Sequence, residues 1–265
     1  MCRLFGLLST KEITPFPYIF ETKYCILEQV KYEKHNDGWG FCNIENEKIS
    51  LTVKSINSLA EDEEIAKNII KNIETKQFVF FVRKASNPLN LNKEDLIKAE
   101  ATQPFYYDDI AFAHNGSILI PNEIKEKIKN FGISPRSSND SEVYFITFLK
   151  FLKETNDVFE AIKKSEELIT STFKEIKSNK QYPFSSLNVI ISYKDKLYAY
   201  NKYYLKRKIS FKDKEREYYK MCFKADQEKI IISSEPIDDD NWEDLGNGKF
   251  IEAWIENGKI NYKEE

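Results

Sequence analysis

Strand-like runs occupy both ends of this chain and helix-like runs its middle, and that segregation constrains the fold more than any other feature. Residues 3–9, 38–43 and 48–53 read as short strands, with Glu45-Asn46-Glu47 as the turn between the last two. Ser58-Leu59-Ala60-Glu61 reads as a capping box opening a helix whose apolar face carries Ile65, Ile69, Ile70 and Ile73. Residues 77–83 and 110–113 read as buried strands. Helices follow at 121–130, stopped by Gly132, and after two polar caps. Asn139 or Asp140 caps one, with Val143, Ile146, Leu149 and Leu152 on its stripe. Asn156 or Asp157 caps the other. Strands then return at 187–193, 197–201, 219–224, 229–233, 249–255 and 259–262, with Asn257-Gly258 as a strong hairpin signal. A βα-alternating parallel sheet does not produce this order; antiparallel sheets with helices packed outside them do, so the fold class is α+β.

No repeat or Pro/Gly/Ser linker interrupts the 265 residues, so residues 1–265 read as a single domain, large enough to bury a core without staples. Hydrophobic residues make up 41% of the chain, too many for a disordered protein. The formal net charge of −3 gives no global argument for nucleic acid or an anionic membrane. The basic stretch 206–220 is interspersed with acids and aromatics and reads as a solvated hairpin or loop. No apolar run is long enough to span a bilayer and no basic leader opens the chain, so the expected location is cytoplasmic. Four cysteines, Cys2, Cys25, Cys42 and Cys222, form no CxxC pair, which argues against disulfides there. A zinc site built from Cys2, Cys25, Cys42 and His35 lacks short paired ligand spacing, and no metal is expected.

Cys2 carries the sharpest chemical signal. If Met1 is trimmed, one residue holds a soft nucleophile and an α-amino base with a reference pKa of about 8. Taken alone, Cys2 reads rather as a small buried hydrophobe at a strand start. The two histidines each sit in a glycine-containing polar island, His35-Asn36-Asp37-Gly38-Trp39-Gly40 and Ala113-His114-Asn115-Gly116. Asn115 followed by Gly116 offers a side-chain amide and a backbone N–H side by side, the donor pair of an oxyanion hole, or else a plain hairpin turn. Arg83 ends an apolar run and suits a carboxylate or a surface ion pair. Asp140 suits an ammonium or a helix cap.

Together these islands, in this order, resemble the class II glutamine amidotransferases, which are N-terminal-nucleophile hydrolases. The resemblance rests on Met1-Cys2-Arg3-Leu4-Phe5-Gly6, His35 to Gly40, Arg83-Lys84-Ala85-Ser86, Ala113 to Gly116 and Asn139 to Glu142. Ser233-Ser234-Glu235-Pro236 points to the small stand-alone branch, which includes γ-glutamyl amide hydrolases. The resemblance implies a four-layer αββα sandwich with two antiparallel sheets. It implies Cys2 as nucleophile with its α-amino group as base, Asn115 and Gly116 as oxyanion donors, Arg83 for the substrate α-carboxylate and Asp140 for its α-ammonium. His35, Asp37, Gly38, Trp39, His114 and Glu235 are expected to shape the pocket. The implied reaction hydrolyses the side-chain amide of glutamine or a γ-glutamyl amide through a thioester, with no metal or organic cofactor. A silent binding scaffold and a glutaminase subunit feeding ammonia to a separate synthase are the competing readings. An ammonia-accepting partner protein or a homo-oligomer fits the second. The sequence departs from the family pattern at Phe81, at Ala101-Thr102-Gln103-Pro104, which replaces Asn-x-His-Pro, and at Asn139, which replaces Thr.

Overall fold

A computed structural model describes residues 2–87, 89–206, 208–211 and 214–265. Met1 therefore lies outside the described residues, as do Arg207, Lys212 and Asp213 of the basic stretch. In chain order the strands are β1 (Arg3–Ile13), β2 (Trp39–Glu45), β3 (Lys48–Ser55), β4 (Thr75–Val82), β5 (Phe105–Tyr107), β6 (Ile110–Asn115), β7 (Asn188–Tyr193), β8 (Lys196–Asn201), β9 (Lys208–Phe211), β10 (Lys214–Glu217), β11 (Cys222–Ala225), β12 (Lys229–Ser233), β13 (Glu243–Asp244), β14 (Lys249–Glu256) and β15 (Lys259–Glu264). The helices are α1 (Phe16–Phe20), α2 (Ile26–Glu33), α3 (Glu63–Ile70), α4 (Lys93–Leu96), α5 (Pro121–Ile128), α6 (Asp140–Thr155) and α7 (Val158–Glu175).

Seven strands form one sheet in the order β13-β11-β12-β1-β4-β2-β3, and six form a second in the order β15-β14-β8-β7-β6-β5. The pairings within both are antiparallel. Side-chain alternation builds the layers. Leu4, Leu8, Val79 and Phe81 of the first sheet meet Ala111, Ala113, Ile190 and Ala199 of the second in one buried cluster. Phe5, Leu7, Phe78 and Phe80, on the opposite face, pack with Ile19, Ile26, Val30 and Ile70 from α1–α3. Phe112, Val189 and Ile191 pack outward against α5–α7. The result is the expected αββα sandwich. Small residues line the inner face of the second sheet, and Gly6 marks how close the two sheets come: a Cβ there would stand 2.8 Å from Ile190 Cγ2.

The turns follow their sequence signals. Asn257 and Gly258 take φ of 53° and 71°, and Asn46 and Glu47 take 49° and 65°, the two-residue turns with positive φ that match strand twist. Asp157 caps α7 by accepting from Glu160 N–H, whereas Asn156 closes α6 in the left-handed conformation. The expected helix face holds at Ile69, Ile70 and Ile73, which pack with the core, but fails at Ile65, which is 59% exposed; Ala66 faces the core in its place. The capping box closes only one turn, Glu61 accepting from Ser58 N–H at 3.2 Å and Ser58 Oγ from Ala60 N–H at 3.1 Å. Helix α3 then starts afresh at Glu63, behind Asp62. Helices α1, α2 and α4 are absent from the sequence reading. Arg83 lies one residue beyond the end of β4. The basic stretch contributes strands β9 and β10, which pair antiparallel. Among the described residues, no helix is long and apolar enough to cross a membrane.

Candidate active site

The central strand delivers the cysteine. Arg3 pairs with Val82 across β1 and β4, so Cys2 and Arg83, one residue beyond on each strand, meet at the same sheet end. The half-buried Cys2 Sγ donates to the Lys84 carbonyl at 3.6 Å. The His35–Gly40 island holds the chain at Arg83 from the other side. Arg83 N–H donates to Gly38 O at 2.8 Å, and Asp37 N–H donates to Arg83 O at 3.3 Å. Asp37 Oδ2 accepts from Ala85 N–H at 2.8 Å. Gly38 takes φ of 122°, and a Cβ on it would fall 2.7 Å from Ser55 O, so both conformation and space require glycine.

Arg83 is 3% exposed, yet its Nη1 has no hydrogen-bond partner among the described residues. Burial lowers its pKa, opposed by the nearby Cys2, Asp37 and Asp140. A buried guanidinium nitrogen left unspent is costly unless a ligand completes it. Burial likewise pushes the Cys2 thiol up, while Arg83 pulls it down.

The second wall comes from β6 and the start of α6. His114 is fully buried, and burial holds its pKa down to about 4. Its Nε2 lies 3.0 Å from the Ser186 carbonyl, which can only accept, so the proton sits there. Nδ1 then accepts from Ser141 Oγ at 2.9 Å. Both ring nitrogens are committed, so His114 is a neutral positioning residue for the Asn115–Gly116 step. Gln103 clamps the same residue: its Oε1 accepts from His114 N–H at 2.6 Å and its Nε2 donates to His114 O at 3.2 Å. Gln103 therefore stands in a structural role where the family pattern has His, a role sequence reading passed over. Gly116 is forced sterically, since a Cβ would lie 2.0 Å from Ser186 O.

Asn139, not Asp140, caps α6: its side chain accepts from Ser141 N–H at 2.9 Å and donates to Ala101 O at 2.9 Å. The replacement for Thr thus keeps the cap and ties in the 101–104 segment. Asp140, released from capping, is buried with Oδ2 accepting from Ile118 N–H at 2.7 Å. Burial raises its pKa to about 7, against the pull of backbone N–H groups and of Arg83. A buried carboxylate at that value gains strongly from an incoming cation.

The remaining pocket expectations divide. Asp37, Gly38 and His114 brace the Cys2–Arg83 and Asn115–Gly116 segments, as described. His35 is buried, its N–H donating to Val30 O at 3.2 Å at the end of α2. Trp39 is placed away from the cysteine, inside the α1–α3 core, stacked with Phe41 and Phe80 and donating from Nε1 to Asp62 at 3.0 Å. Strand alternation explains this, since Trp39 points to the outer face of the sheet. Glu235 is buried in an ion-pair group with Arg216 at 3.2 Å and Arg3 at 4.0 Å, and Arg3 also lies over the Tyr218 ring. Among the described residues, no group of three or more His, Cys, Asp or Glu side chains is arranged to hold a metal ion.

Comparison with known proteins agrees with this architecture. The family model for class II glutamine amidotransferases matches residues 1–263. A curated relative, an amidophosphoribosyltransferase from Methanocaldococcus jannaschii, is 27% identical over 61% of this chain, which spans only 30% of that protein. Among solved structures, a class II glutamine amidotransferase domain protein from Silicibacter pomeroyi superposes with a TM-score of 0.66 at 13% identity, covering 99% of both chains. The glutamine phosphoribosylpyrophosphate amidotransferase of B. subtilis superposes with a TM-score of 0.64 at 15% identity, covering 99% of this chain and 49% of its own. The structures share the fold; the family match spans the site residues as well. The chain belongs to the class II glutamine amidotransferases.

Proposed function

We propose that the chain hydrolyses the side-chain amide of glutamine, or of a γ-glutamyl amide with a free α end, through a thioester on Cys2. The observation that carries this reading is the buried, opposite-charged pair Arg83 and Asp140, gathered around a thiol at the start of the central strand. An α-amino acid end presents a carboxylate and an ammonium. Arg83, with its unspent Nη1, matches the first, and Asp140 matches the second.

Loss of Met1 exposes the α-amino group of Cys2, which takes the thiol proton. The thiolate attacks the side-chain amide carbon. Asn115 Nδ2 and Gly116 N–H donate to the tetrahedral oxyanion, each such donor worth about 3 kcal/mol in comparable sites. The ammonium returns its proton to the leaving nitrogen and ammonia departs. Water, deprotonated by the same amine, then cleaves the thioester to release the carboxylate and regenerate Cys2. The neutral, doubly engaged His114 takes no proton in this scheme; it fixes the two donors that follow it.

Release of ammonia and glutamate from glutamine, and of p-nitroaniline and glutamate from γ-glutamyl-p-nitroanilide, compared between the wild type and Cys2→Ser, tests the reading. Turnover by the wild type that falls at least about 10³-fold in the variant supports it. Turnover that survives the substitution overturns it.

A further inference from the structure

A cavity lined by none of Cys2, Arg83, Asn115, Gly116 and Asp140 lies on the side of the molecule. About 310 Å³ in volume, it is walled by the edge strands β3 and β5, by the 133–136 segment and by the first half of α6. At ~30 Å³ per water it holds about ten, the room a bicyclic ring system needs. Its floor is apolar, with Phe145, Ile146 and Leu149. Its rim is cationic and aromatic. Lys54 Nζ stands 5.6 Å from the Phe105 ring centroid and 5.4 Å from that of Tyr106, and the Arg136 guanidinium lies 6.0 Å from the same Tyr106 ring.

The charges on this rim are unequally spent. Glu142 is engaged by the backbone: it accepts from Arg136 N–H at 2.9 Å, from Ser137 N–H at 2.8 Å and from Ser137 Oγ at 2.6 Å. Glu100 sits exposed at the mouth. Lys54 is half-buried, and its ammonium forms no hydrogen bond or ion pair with any described residue; aromatic faces are its neighbours. Burial holds its pKa down to about 8, against the weaker pull of Cys42, Glu142 and Glu100. A cation in that position gains more from an arriving anion than a solvated one.

We propose that this cavity binds a small flat aromatic monoanion, its acid group on Lys54 and Arg136 and its ring against Tyr106 and the apolar floor. Two of its walls adjoin the candidate amide site: β5 follows Gln103, and Glu142 lies in the first turn of the helix that begins at Asp140. The site is nevertheless separate from Cys2 and does not depend on the proposed hydrolysis.

Isothermal titration calorimetry of the full chain with 2-naphthoate tests the proposal, with neutral 2-naphthamide as the matched control. The expected result is one site per chain, at least about tenfold tighter for the acid than for the amide, weakened about tenfold by Lys54→Met and unaffected by Cys2→Ala or excess glutamine. No binding of the acid, equal binding of acid and amide, full affinity in a folded Lys54→Met protein, or displacement by glutamine would each overturn it. The acid–amide comparison on the wild type holds even if a variant folds poorly.

Discussion

Two buried aspartates open two helices of this protein and do opposite things. Asp62 precedes α3, where its carboxylate accepts from Ser55 Oγ at 2.5 Å, Trp39 Nε1 at 3.0 Å and Asn57 Nδ2 at 3.1 Å. Burial pushes its pKa up, but those three donors outweigh it, so Asp62 stays below the usual carboxylate range. Asp140 opens α6, with backbone N–H groups and the more distant Arg83 for support, and burial wins: its pKa rises to about 7. Asp62 is thus complete within the fold, knitting β2, β3 and α3 together. Asp140 is incomplete, and in the proposed function a substrate ammonium completes it. Position at a helix N-terminus does not separate the two cases; the donors around the carboxylate do.

The contrast can be broken most readily by neutralising each in turn. Asp140→Asn is expected to lower kcat/KM by about 10²–10³-fold, the cost of removing one partner of a buried charge pair. It leaves thermal stability unchanged or raised at pH 8, because Asn keeps the acceptor for Ile118 N–H and removes a buried charge. A stability loss with activity intact would reduce Asp140 to a structural role. The pH profile sharpens the same point. Below about 7 the Asp140 carboxylate is protonated in the free enzyme, so kcat/KM falls by up to tenfold per unit as pH drops below that value. A flat profile from pH 8 to 5.5 contradicts the assignment.

Asp62→Asn is expected to cost about 1–3 kcal/mol of stability, since three donors lose their charged acceptor, while kcat/KM changes far less than in Asp140→Asn. Thermal unfolding and steady-state kinetics on the same preparation check both halves. The smallest effect is the pH dependence of stability, and its sign differs between the two. Asp62, with its folded pKa depressed, contributes stability that is present above the unfolded value near 3.8 and lost as pH falls through the folded one. Asp140, with its folded pKa raised, costs stability that sets in above its unfolded value of 3.8 and is complete above about 7. Denaturant melts of the two Asn variants from pH 3 to 8 should therefore depart from the wild type in opposite directions, Asp62→Asn falling below it and Asp140→Asn rising above it as pH increases, with both differences shrinking toward pH 3.

The candidate site was legible in the residues as a set of short islands, because the proposed chemistry demands particular residue types. Cys2, Arg83, Asn115-Gly116 and Asp140 lie on short islands at strand ends and a helix start; strand pairing sets Cys2 beside Arg83, and Asp140 accepts from Ile118 N–H, two residues past Gly116. The layers were legible because strands and helices segregate along the chain. What escaped was three-dimensional. Nothing local distinguishes Asn139 from Asp140 as the cap, since both side chains can cap; only the burial of Asp140 and its bond to Ile118 decide it. The Gln103 clamp on His114 spans two separate segments, so no periodicity marks it. Trp39 shared an island with Asp37 and Gly38 and was grouped with them, but strand alternation sends it to the helix-covered face. Ile65 fitted the stripe of Ile69, Ile70 and Ile73 by spacing alone, but on α3 it is Ala66 that turns inward with Ile70.

The central claim, that Cys2 becomes a free N-terminal nucleophile in a glutamine-shaped pocket, is tested most directly by alkylation with 6-diazo-5-oxo-norleucine, read by intact mass and peptide mapping. The account predicts chains lacking Met1 that carry a single adduct on Cys2. An adduct on any other residue, or none on Cys2 in folded chains that have lost Met1, would contradict it.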